Sequence, residues 1–107
     1  MTVADANAGT VVQVRGGRLY LARRVHDECL GGCTSVALLV RDGGWWLLPL
    51  RAGAGGLQVK LRNAHGDRVV EAQEFLRSQG VEDEHTLELG LVAEPALGAF
   101  RLVRDSS

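Results

Sequence analysis

Ser35-Val36-Ala37-Leu38-Leu39-Val40-Arg41, the turn Asp42-Gly43-Gly44, and Trp45-Trp46-Leu47-Leu48-Pro49-Leu50 form the clearest local pattern in the chain. Two apolar runs joined by an Asp-Gly turn read as a β-hairpin, because the turn needs left-handed backbone that Asp and Gly adopt cheaply. The runs are apolar at nearly every position rather than at alternate ones. They therefore imply strands buried on both faces or lying at a barrel seam.

Upstream, Val11-Val12-Gln13-Val14-Arg15, the pair Gly16-Gly17 and Arg18-Leu19-Tyr20-Leu21 read as a second, shorter hairpin. Ala22 to Leu30 sets Val25 and Cys29 four apart and stops at Gly31-Gly32, the pattern of a short amphipathic helix with a glycine cap. Downstream the order recurs. Leu57 to Arg62 alternates, Asn63-Ala64-His65-Gly66 is turn chemistry, and Asp67-Arg68-Val69-Val70 resumes the strand. Ala72, Phe75, Leu76 and Gln79 then share a helical face before Gly80, and His85 to Ala93 and Leu97 to Val103 flank the turn Glu94-Pro95-Ala96.

Arg15 to Ala22 lies over Arg62 to Ala72, the helix stops Gly31 and Gly80 correspond, and Trp45-Trp46-Leu47-Leu48 lies over Ala99-Phe100-Arg101-Leu102. Hairpin-helix-hairpin units leave apolar faces bare, and two of them interleaved close a small barrel without exposed edges. The expected class is α+β, a small β-barrel of two such repeats. Residues 10–51 form the first repeat, 52–56 a Gly/Ala linker and 57–104 the second, with tails at 1–9 and 105–107.

Composition bounds the function. The chain has 107 residues, 46% hydrophobic and 23% charged, with net charge −1 and 2 Cys, so it holds one compact domain and is no disulfide scaffold. No apolar run approaches the roughly 20 residues of a membrane span and the N-terminus is no signal peptide, so the expectation is a soluble, cytoplasmic protein without membrane contact. There are 16 Leu and 13 Val but no Ile, and 11 Arg against one Lys, a bias that GC-rich bacterial codon usage produces. In such a chain arginine also fills the solvating role of lysine.

The run Gly17-Arg18-Leu19-Tyr20-Leu21-Ala22-Arg23-Arg24-Val25, the short helix, Val36 to Val40, Asp42-Gly43-Gly44 and Trp46 to Leu50 resemble the swapped-hairpin domain of the AbrB, SpoVT and MraZ regulators. The apparent duplication is similar to the two copies in MraZ. Ala22 stands where that family has proline, and its helix motif of acidic residues and arginine is not recognisable here. The resemblance implies DNA binding by Arg15, Arg18, Arg23 and Arg24, with Arg62 and Arg68 following in the second copy. Charge favours the first half: residues 10–51 carry +3 and residues 57–104 carry −2. The function expected is a bacterial DNA-binding transcriptional regulator or antitoxin-like relative.

The alternative is a non-enzymatic interaction or assembly module that keeps the barrel without DNA binding, as a homodimer or with a protein partner. Val59 to Val70 resembles small accessory proteins encoded with nickel-iron hydrogenases, in keeping with that reading. Trp45 and Trp46 are its candidate interface, since neighbours on a strand face opposite ways and one indole can turn outward. His26, Cys29 and Cys33 offer soft ligands, with His65 or His85 as a fourth, but the spacing is no standard zinc site and Cys29 reads better as a buried structural thiol. No cofactor is expected. The glycine-rich 52–56 lacks the Lys and Ser/Thr of a phosphate loop, the carboxylates Glu82, Asp83 and Glu84 read as a solvated link, and no catalytic motif points to an enzyme.

Overall fold

A computed structural model describes residues 10–104; the expected tails 1–9 and 105–107 lie outside the described residues. The strands are β1 (Val11–Arg15), β2 (Arg18–Leu21), β3 (Ser35–Arg41), β4 (Gly44–Leu50), β5 (Leu57–Leu61), β6 (Arg68–Glu71), β7 (Thr86–Glu94) and β8 (Ala99–Arg104). They form a closed barrel in the order β1-β2-β6-β5-β3-β4-β8-β7, and every pairing is antiparallel. Helix α1 (Arg23–Val25, continuing through His26–Leu30) links β2 to β3, and α2 (Gln73–Ser78) links β6 to β7; a 3-10 turn, Pro95–Leu97, joins β7 to β8.

Four hairpins make up the ring: β1-β2, β3-β4, β5-β6 and β7-β8. The seams between them are β2–β6, β5–β3, β4–β8 and β7–β1, so each seam joins a hairpin from residues 11–50 to one from residues 57–104. The two hairpins of one half never pair with each other.

Alternation builds the core. Val12, Val14, Leu19, Leu21, Val36, Leu47, Val70, Leu89 and Leu91 turn inward and are almost wholly buried, each contributing about 1.5–3 kcal/mol of transfer free energy. Val25 and Leu30 of α1, Leu76 of α2 and Val81 join the same cluster.

Helix α1 departs from the expected α-helix with Val25 and Cys29 on one stripe. It is α-helical only over Arg23–Val25 and continues as a π-helix over His26–Leu30, capped by Gly31 at φ 57°. Residues five apart diverge around an α-helix but nearly align in a π-helix, whose hydrogen bonds span five residues. That winding turns both Val25 and Leu30 inward, buries His26 and leaves the Cys29 thiol half-buried. Burial still pushes its pKa up, with Glu28 adding to the effect.

The β3-β4 hairpin forms as read, with left-handed backbone at Asp42 (φ 54°) and Gly43 (φ 77°). Its expected burial on both faces does not extend along β3: Leu39 is 37% and Val40 45% exposed. The cause is the length of its neighbour, since β5 pairs with β3 only at Ser35 and Val36 and, among the described residues, the rest of β3 pairs with β4 alone.

Candidate nucleic-acid interface

On β1, Gln13 and Arg15 alternate with buried Val12 and Val14, and on β2 Arg18 and Tyr20 alternate with buried Leu19 and Leu21. The same alternation turns Lys60 outward from β5, and Arg62 follows it just past the strand end. The outer face of β1-β2-β6-β5 thus carries Arg15, Arg18, Tyr20, Lys60 and Arg62 across one continuous stretch of sheet.

Tyr20 is its centre. The Arg15 guanidinium lies 4.5 Å from the ring centroid and that of Arg62 lies 4.8 Å from it. By register they approach from opposite ends of the strand pair, Arg15 from the Arg18 end and Arg62 from the Leu21 end. Neither makes an ion pair among the described residues. Arginine stacked on an aromatic ring keeps its hydrogen-bond donors free at the edge of the guanidinium plane, where a phosphate or a guanine edge accepts them.

Arg18 is committed elsewhere. Its Nε donates to both carboxylate oxygens of Glu71, directly opposite across the β2–β6 seam, at 3.0 and 2.9 Å. Glu71 sits below the usual carboxylate range, chiefly because Gln73 donates to it and next because Arg18 does; the same bond to Glu71 raises Arg18. Arg23 adjoins the patch through the β5–β6 loop. Its backbone N–H donates to Asp67 Oδ1 at 2.9 Å, its guanidinium pairs with Asp27 at 3.5 Å, and its stem lies against Gly66. Asp67 is held below the usual range first by the Asn63 amide and then by the Arg23 backbone, while the Arg62 N–H bonds its carbonyl oxygen at 2.7 Å.

Of the six arginines expected to bind DNA, Arg15, Arg18 and Arg62 share this face and Arg23 borders it. Arg24 is on α1, pairing with Glu28 at 3.7 Å. Arg68 has the inward parity of Val70 and is half-buried, level with Leu21 and Leu61. Tyr20 and Lys60, absent from the expected set, were marked only by sharing strand parity with Arg18 and Arg62.

The two indoles do face opposite ways. Trp45 turns inward, edge-on to Phe75 with centroids 5.5 Å apart, and its Nε1–H donates to Gln79 at 3.2 Å. Trp46 turns outward between Leu39 and Arg101, whose guanidinium lies 5.9 Å from its ring centroid. His26, Cys29 and Cys33 do not gather, and no three His, Cys, Asp or Glu side chains cluster at metal-binding distance among the described residues. Cys33 follows the Gly31-Gly32 turn with its N–H on the Leu30 carbonyl, and His26 Nδ1 faces Asp27 at 3.2 Å. No helix among the described residues is long and apolar enough to cross a membrane.

The class these features define is a closed eight-stranded antiparallel barrel with a basic, tyrosine-centred outer face. No family model, curated protein or solved structure matches the chain.

Proposed function

We propose that the chain is a duplicated swapped-hairpin barrel that binds DNA through the outer face of β1-β2-β6-β5, acting as a bacterial cytoplasmic transcription regulator or an antitoxin-like relative of one. The observation that carries the reading is the pair Arg15 and Arg62, one from each half, over Tyr20 with no ion pair among the described residues.

The strand registers support the duplication. Exchanging β1 with β5, β2 with β6, β3 with β7 and β4 with β8 returns the same ring. Val14 opposite Leu19 then corresponds to Val59 opposite Val70, Val12 opposite Leu89 to Leu57 opposite Val36, and Leu38 opposite Leu47 to Leu91 opposite Leu102. Under this matching the inward Val25 and Leu30 correspond to Leu76 and Val81. It differs from the alignment suggested by sequence, matching Trp45 with Phe100 instead of Ala99 and Arg15 with Lys60 instead of Arg62.

On the outer face Gln13 then corresponds to Gln58 and Arg15 to Lys60, whereas Arg18 and Tyr20 correspond to Val69 and Glu71. Basic corners recur in both halves while the aromatic centre belongs to the first, consistent with its excess of positive charge. Fluorescence anisotropy with a labelled mixed-sequence duplex tests the reading. Affinity should fall steeply with salt, and replacing both Arg15 and Arg62 by alanine should lower the log–log slope by about 2. No binding to duplex at low salt overturns it.

A second reading is favoured by the opposite side of the barrel, where Ala37, Leu39, Trp46, Leu48 and Leu50 give β3 and β4 an apolar outer face. An interaction module, as a homodimer or with a protein partner, would use it. A dimer in sedimentation that Trp46→Arg dissociates would favour this reading.

A further inference from the structure

The half of β3 that β5 leaves unpaired adjoins a groove. In an antiparallel strand alternate residues direct their N–H and C=O to the same side. The Thr34 carbonyl accepts from Val59 N–H, and Val36 pairs with Leu57, so this side is that of the even-numbered residues. Leu38 and Val40 consequently direct their N–H and C=O to a side where β3 has no strand partner among the described residues. On β7, the corresponding Leu91 N–H bonds the Thr10 carbonyl at 2.9 Å. At β3 the chain turns away instead: Gly55 and Gly56 have φ of 85° and 86°, and a Cβ on Gly56 would come 2.7 Å from the Val36 carbonyl oxygen.

The groove between this edge and the start of α2 has a volume of about 440 Å³, within the range of roughly 300–1,000 Å³ typical of binding sites. Leu38, Leu57, Ala72 and Phe75 give it an apolar lining, and Glu71 and Glu74 add carboxylates. Glu71 is held by Arg18 and Gln73, whereas Glu74 is exposed and makes no ion pair among the described residues.

We propose that the free edge of β3 and this groove bind an extended segment of another protein by strand addition, the segment alternating apolar residues with lysine or arginine. It lies along the line β5 would occupy had it continued upstream of Leu57. Leu38 and Val40 supply the main-chain hydrogen bonds, the groove takes apolar side chains, and the exposed Glu74 selects the basic ones. The acidic lining argues against a second copy of β3, which would bring its own Glu71 and Glu74 to the same seam. The proposal stands independently of DNA binding, since the β3 edge and Glu74 lie outside the Tyr20 patch.

The probe is a fluorescein-labelled eight-residue peptide alternating valine and lysine, with a valine–glutamate counterpart, titrated with the full chain. Val40→Pro removes an N–H that β4 does not use and leaves the hydrogen bonds of the odd-numbered β3 residues to β4 in place. The lysine peptide should bind, with the glutamate peptide, Val40→Pro and Glu74→Lys each weakening the interaction by at least about tenfold. Amide exchange at Leu38 and Val40 should slow when the lysine peptide is added. Equal binding of both peptides, no binding of either, or unchanged binding by folded Val40→Pro or by Glu74→Lys overturns the proposal. So does a dimer that Val40→Pro converts to monomer, which would assign the edge to a second copy.

Discussion

Arg15 and Arg62 hold their guanidinium groups 4.5 and 4.8 Å from the centroid of one tyrosine ring, although one belongs to the first hairpin and the other to the turn of the third. The β2–β6 seam, which sets β5 two strands from β2, brings them together. Stacking fixes the forks of two otherwise mobile side chains, so less side-chain entropy remains to be lost when an anion binds.

Tyr20→Leu keeps every positive charge and removes the stacking platform. Duplex affinity should fall several-fold with the salt slope nearly unchanged, whereas Arg15→Ala should lower the slope by about 1. Anisotropy at several salt concentrations separates the two.

Arg18 and Glu71 are 45% and 38% exposed, so solvent screens their ion pair and it adds little to stability. Urea unfolding of Arg18→Ala, Glu71→Ala and the double variant should show near-additive midpoint shifts; a clear departure from additivity would contradict a screened pair.

Leu47 is fully buried and Leu102 is 7% exposed. Leu47→Ala should cost about 2–5 kcal/mol, and Leu102→Ala a comparable amount, by equilibrium denaturation. Leu61→Ser, at a position 63% exposed, should change stability by less than about 0.5 kcal/mol.

Asp83 lies below the usual carboxylate range, first because Arg77 donates to it, with an Nη2 contact of 2.6 Å. A carboxyl with a depressed folded-state pKa stabilises the fold at pH above its unfolded-state pKa. That contribution disappears as pH falls through the folded-state value. Thermal melts should show wild type above Asp83→Asn by a constant margin at neutral pH, with the gap closing in acid below the carboxylate range.

Strand alternation and turn chemistry made the hairpins legible: Asp42-Gly43 and Gly16-Gly17 mark their turns, and all eight strands lie within a residue or two of their expected positions. The π-helix was not legible, because Val25 and Cys29 satisfy an α-helical stripe and the inward pull on Leu30 exists only once the barrel closes. Strand parity separated Arg15 and Arg18 from the core. Grouping Lys60 and Arg62 with them required the β2–β6 seam, a long-range pairing that no local pattern encodes. The exposed half of β3 was read as buried because its apolar run says nothing of where β5 begins.

Seams that join only opposite halves also bear on how the chain emerges during synthesis. When residues up to Leu50 have been made, both hairpins of the first half exist as sequence, yet none of their outer edges has its seam partner. β2 waits for β6, β4 for β8, and β1 for β7. The edges of the first half are covered one by one, β3 by β5, β2 by β6, β1 by β7 and β4 by β8, so the barrel closes only when the last strand has appeared.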